Sequence, residues 1–144
     1  MPSCHVVLTR PQARHARVRR HQQDLYDMLL RAAAQALIPL AMAPHYVGGL
    51  IGVLCILHTW SRTLTYPPHV HCLVPAGGVS ADRTDWRPAR TAYLVPVHAL
   101  AKLCRGLLLD LLRQERPDLI MPKALWTKGG WSTANRRYTA QRQS

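Results

Sequence analysis

The segment Pro67-Pro68-His69-Val70-His71-Cys72-Leu73-Val74-Pro75 constrains the fold more than any other stretch of the chain. Its β-branched residues alternate with polar ones between prolines, the pattern of a short strand with one buried face. Successive side chains of a strand leave on opposite sides, so Val70, Cys72 and Val74 are expected in the core and His69 and His71 together on the other face. A second run, residues 50–60, is rich in Val, Ile and Leu and reads as a central strand. The intervening Ser61-Arg62-Thr63-Leu64-Thr65-Tyr66 lets the two return as an antiparallel pair.

The remaining segments alternate between strand and helix signals. His5-Val6-Val7-Leu8-Thr9, closed by Arg10-Pro11, reads as a first strand. Over residues 13–42 the apolar positions Leu25, Met28, Leu29, Ala32, Ala33, Ala36, Leu37 and Leu40 recur at helical spacing, with Pro39 expected to end or kink the helix. Arg14, Arg17, Arg19, Arg20, His21 and Arg31 cluster in the first half of that helix, where they could face a phosphate backbone. Gly77-Gly78 and Asp82-Arg83-Thr84-Asp85 are turn material, with Val79 and Trp86 on hairpin arms. Tyr93-Leu94-Val95-Pro96 reads as extended, and residues 97–113 are again helical. The fold class expected is α+β, an antiparallel sheet flanked by helices. Residues 132–144 are Ser, Thr, Asn, Gln and Arg almost without apolar periodicity, so residues 1–128 are expected to form the domain and 129–144 a disordered basic tail.

Nineteen Lys and Arg against seven Asp and Glu give the 144-residue chain a formal charge of +12, while 48% hydrophobic residues exclude a disordered polycation. That balance favours a polyanionic partner, DNA or RNA ahead of a membrane surface. Cys4, Cys55, Cys72 and Cys104 are scattered without a C-x-x-C pair, which speaks against a zinc ribbon or a disulfide framework. Residues 47–57, the longest apolar stretch, are too few to span a bilayer. No signal peptide is read at the start, and a cytoplasmic setting is expected.

Two imidazoles side by side on a rigid strand supply two thirds of a divalent-metal site. In so basic a chain they point to chemistry on a phosphodiester, where an ion polarises a non-bridging oxygen. His58, near the end of the neighbouring strand, is the best third ligand, and His5 is the alternative. His15, His21, His45 and His98 read as surface or capping residues. Arg62, Arg83, Arg87 and Arg90 lie in loops near the histidine strand and are candidates for phosphate contacts. The competing reading is a basic nucleic-acid-binding module with structural histidines and no catalysis.

The strand with two histidines resembles the metal-binding motif of the HUH endonuclease superfamily. The runs His45-Tyr46-Val47-Gly48-Gly49, Val53-Leu54-Cys55-Ile56-Leu57-His58-Thr59-Trp60 and Pro68-His69-Val70-His71-Cys72-Leu73-Val74-Pro75-Ala76-Gly77-Gly78-Val79-Ser80 are more specifically similar to rolling-circle insertion-sequence transposases of the two-tyrosine type. The helix segment 19–26 and the arm Trp86-Arg87-Pro88-Ala89-Arg90 share that resemblance, which runs from about Cys4 to Thr127. It implies an HUH sheet with His69, His71 and His58 as ligands of Mg2+ or Mn2+. It also implies single-stranded DNA ends as substrate and a tyrosine that forms a 5′-phosphotyrosine while releasing a 3′-hydroxyl. The chain departs from the family pattern in lacking both the cysteine-rich zinc module and a Y-x-x-R-Y-x-x-R helix. Arg137-Tyr138-Thr139 is faintly similar to the tyrosine motif, which leaves Tyr138 as the one alternative nucleophile. The expectation is a transposase fragment, incomplete in its sheet and missing its nucleophile.

Overall fold

Alternation along the histidine strand sorts the two faces of a four-stranded antiparallel sheet. The computed structural model describes residues 3–9, 20–58, 69–90, 94–119 and 132–138. Along the chain these form β1 (Ser3–Thr9), α1 (Gln22–Met42), β2 (Leu54–His58), β3 (His69–Pro75), β4 (Gly77–Val79), β5 (Trp86–Pro88), α2 (Val97–Glu115) and β6 (Ser132–Tyr138). The large sheet runs in the order β2-β3-β1-β6, and β4 and β5 form a separate hairpin. The α+β class expected from the sequence is what the chain adopts.

Directly opposed residues of an antiparallel pair share a face. Cys4, Val6 and Leu8 of β1, with Val70, Cys72 and Val74 of β3, are buried beneath the helices. Helix α1 contributes Leu25, Met28, Leu29, Ala32, Ala33, Ala36, Leu37 and Ala41. Its alanines let the helix backbone lie close to its neighbours. Helix α2 adds Leu100, Cys104, Leu108, Leu109 and Leu112. Each fully buried leucine stabilises the fold by about 1.5–3 kcal/mol. Although α1 is long and apolar enough to cross a membrane by composition, its apolar stripe is packed in this core.

The helices are also clasped by charge. Arg31 donates to both carboxylate oxygens of Glu115 at 2.6 Å and to Asp27 at 2.8 Å. Arg116, just past α2, binds Asp24 and Asp118. Arg31, grouped by the sequence with residues that could face phosphate, thus serves as a helix–helix tie. Arg14, Arg17 and Arg19 lie outside the described residues.

Four expectations need correction or refinement. Strand β2 lies at the end of the sheet, beyond β3, and not at its centre. It begins at Leu54, because Leu50 is engaged elsewhere: its N–H and carbonyl bond to Val79 at 2.7 and 2.8 Å. That approach brings Gly49 and Gly78 so close that a Cβ on Gly78 would lie 2.7 Å from the Leu50 carbonyl oxygen. Pro39 sits inside α1 without ending it, on the exposed side where solvent can reach the Gln35 carbonyl that lacks a proline N–H. Finally, Ser132–Tyr138, within the segment read as a disordered tail, pairs with β1 over its whole length. Backbone groups alone suffice to add a strand to an open edge, so the missing apolar periodicity did not prevent it.

Candidate metal centre

The face of the sheet turned away from the helices carries the histidines. In register, His58 opposes His69, Ile56 opposes His71 and Leu54 opposes Leu73. From the other side Thr9 opposes His69, Val7 opposes His71 and His5 opposes Leu73. Each histidine is half-buried. Strand β2 therefore delivers His58 beside the pair on β3, as the sequence expects. One side chain not placed there by the primary reading also arrives: His5, diagonal to His71 across β1 and β3, a separation long side chains can bridge.

One ring nitrogen from each of His58, His69 and His71 lies within 4.8 Å of the other two. Among the described residues this is the one group of three or more metal-ligating side chains so gathered. Ring centroids are 4.1 Å apart for His58 and His71, 4.8 Å for His69 and His71, and 5.6 Å for His58 and His69. His71 is the hub. Its Nδ1 lies 2.6 Å from Nε2 of His5, and its Nε2 is buried with no hydrogen-bond partner among the described residues. Burial, followed by the charges of His58, His5 and His69, pulls the His71 pKa below the ordinary histidine value. A ring kept neutral retains a lone pair, the form in which imidazole binds a metal.

The basic candidates fall elsewhere. Arg83, Arg87 and Arg90 are exposed on and beside the β4–β5 hairpin. Arg83 occupies the left-handed position of its turn, at φ 63°. Ser80 donates to Asp82 and receives the Asp85 N–H, which braces the loop. Arg62 lies outside the described residues. Of the residues read as surface or capping, His45 packs on Tyr46, His21 meets Arg116, and His98 is exposed. His15 lies outside the described residues.

Tyr138 lies two residues along β6 from the partner of His5, four from the row of His71 and farthest from the row of His69. It pairs with Ser3, whereas Ser132, six residues back along β6, pairs with Thr9 in the row of His69. At ~3.3 Å per residue, that is roughly 20 Å along the strand. Tyr26 belongs to α1, behind the sheet, and Tyr66 and Tyr93 lie outside the described residues.

Residues 52–141, which include His58, His69, His71 and β6, match the family described as "Putative transposase". The matched segment thus runs past the boundary at residue 128 expected from the sequence. Over 110 residues the chain is 39% identical to the protein described as "Putative transposase y4qJ" from Sinorhizobium fredii (strain NBRC 101917 / NGR234). That alignment covers 76% of this chain and 28% of the relative, so the chain spans little more than a quarter of that protein's length. No solved structure matches. With the histidine strand, its β2 partner and the hairpin beyond all inside the matched residues, the chain belongs to this transposase family.

Proposed function

We propose that the chain is the metal-binding sheet of a single-strand DNA transposase of the HUH type, within residues 1–128 as first read and with β6 as an added strand. The observation that carries the reading is the convergence of His58, His69 and His71 on the open face of a sheet in a chain of charge +12. The residues fit a metal ion: three imidazoles gather with no carboxylate among them, and His71 has a buried nitrogen without a partner. Such a donor set suits Mn2+ better than Mg2+, and late first-row ions better still. A bound divalent ion would polarise a non-bridging phosphate oxygen and stabilise the charge that develops there.

The chain's own residues hold and orient. His58, His69 and His71 present nitrogen lone pairs from two paired strands, a rigid base. Arg83, Arg87 and Arg90 offer guanidinium groups to the DNA backbone near the β4–β5 hairpin, where they add affinity without reading sequence. The strand-transfer step requires a tyrosine hydroxyl that attacks phosphorus, giving a 5′-phosphotyrosine and freeing the 3′-hydroxyl. The register of β6 argues against Tyr138 in that role. This segment is therefore a binding and metal-holding unit rather than a self-sufficient nuclease.

The test is single-stranded oligonucleotide binding by fluorescence anisotropy, with Mn2+, with Mg2+ and with EDTA, alongside denaturing gels for a covalent adduct. Expected are salt-sensitive binding strengthened by Mn2+, loss of that strengthening in a His69→Ala, His71→Ala double variant, and no adduct. Binding indifferent to metal and to the double substitution would leave a basic module with structural histidines. An adduct abolished by Tyr138→Phe would overturn the assignment of the nucleophile.

A further inference from the structure

We propose that His5 is the positioning residue of the metal centre: its Nε2 accepts a hydrogen bond from Nδ1–H of His71, which commits Nε2 of His71 to the metal. The inference rests on the metal reading of the histidine cluster and assigns a role to a residue outside the three ligands.

The geometry of the two rings is that of a direct bond. Their nitrogens are 2.6 Å apart, their planes are inclined by only 16°, and their centroids are 4.8 Å apart. The centroid separation exceeds the N···N distance by about two ring radii, so the rings meet edge to edge in nearly one plane. A bond between two neutral imidazoles needs one N–H and one lone pair. If His5 were the donor, His71 would carry its only proton on Nε2, a buried atom with no acceptor among the described residues. If His71 is the donor, Nε2 keeps its lone pair, on a ring whose centroid stands 4.1 Å from that of His58 and 4.8 Å from that of His69. The second assignment leaves no buried donor unsatisfied and turns the free nitrogen to use.

Histidine ligands commonly donate their second ring N–H to an oxygen that fixes the tautomer and the ring orientation. Here an imidazole from the adjacent strand takes that place. Strand β1 is suited to hold it, since Cys4 and Val6, on either side of His5, are fully buried. His5 therefore reaches His71 from a backbone anchored in the core, and the ring of His71 is set before any ion arrives.

Two measurements test the assignment. Long-range 1H–15N correlation spectra of the metal-free, 15N-labelled chain are expected to show His71 protonated on Nδ1 and bare on Nε2. The opposite tautomer would overturn the proposal without touching the metal reading. Co2+ titrations followed by visible absorption would then compare the wild-type chain with His5→Leu and His5→Gln. Removing the acceptor in His5→Leu is expected to weaken binding by about 10–100-fold. The glutamine carbonyl restores an acceptor, so His5→Gln should recover most of the loss with an unchanged Co2+ spectrum. A glutamine variant as weak as the leucine one, with an altered spectrum, would make His5 a direct ligand and overturn the positioning role. Equal affinity in all three proteins would also overturn it. A wild-type chain that binds no Co2+ would refute the metal reading, and the spectra of the metal-free chain would still judge the His5–His71 bond.

Discussion

His58 and His69 are direct cross-strand partners, the last residue of β2 facing the first of β3, with ring centroids 5.6 Å apart. His58 ends β2 and His69 begins β3, so the centre lies at one end of these strands. His58→Ala removes one of three nitrogens and is expected to weaken Mn2+ or Co2+ binding at least as much as loss of an outer-shell partner, about 100-fold. His98→Ala, an exposed substitution on α2, is the control and should change nothing. Isothermal titration of both variants checks this.

Acid should destabilise the metal-free chain through His71. Burial and the neighbouring histidines depress its pKa in the fold. The unfolded chain protonates His71 near pH ~6.5, whereas the folded chain takes up that proton only at lower pH. Between these points the unfolded state binds more protons, so falling pH favours unfolding. The melting temperature is expected to drop from pH 7 to pH 5.5, and less steeply in His71→Asn.

If Arg83 and Arg87 touch phosphates, each releases counterions from the strand it binds. Replacing either by alanine should weaken single-strand binding for every sequence alike. It should also lower the slope of log affinity against log salt by ~0.7 per arginine. Anisotropy titrations from 50 to about 300 mM NaCl measure the slope. An unchanged slope would remove that arginine from the interface.

Thiol reactivity should follow position in the core. Cys55 and Cys72 oppose each other across β2 and β3 with sulfurs 3.3 Å apart. Its bond to Cys55 and burial raise the Cys72 thiol well above the ordinary range, while the same bond lowers Cys55. Burial pushes Cys104 up to about 12. Since the thiolate is the nucleophile, iodoacetamide at pH 8 should label Cys55 first, with Cys72 and Cys104 slower by at least on the order of 100-fold. Peptide mass mapping over time gives the order.

Much of this was legible in the sequence because period-two alternation and helical spacing are strong local signals. The faces of β3, the antiparallel β2 partner, the hairpin arms Val79 and Trp86 and the apolar stripes of both helices follow from them. His58 was legible because a short connection returns the chain beside its own strand. Strand order was not, since nothing local tells Leu54–His58 that β1 will take the other side of β3. The bond between His5 and His71 depends on that same long-range pairing. Strand β6 was illegible for another reason: its pairing is carried by the backbone, which leaves no mark in side-chain periodicity. Arg31 misled because a charge looks the same in sequence whether it meets phosphate or Glu115.

Strand β1 lies between β3 and β6 and so waits for both. During synthesis its seven residues are made before either partner, the first being complete only at Pro75 and the second only at Tyr138. At ~5–20 residues per second, the interval between the two is roughly 3–13 s. Throughout it the nascent chain holds His5, His58, His69 and His71 while one side of β1 stays open to any passing strand. Long-range pairing of this kind slows folding and prolongs exposure to aggregation. The moment of greatest vulnerability for this chain therefore falls after its clustered histidines exist and before its sheet is complete.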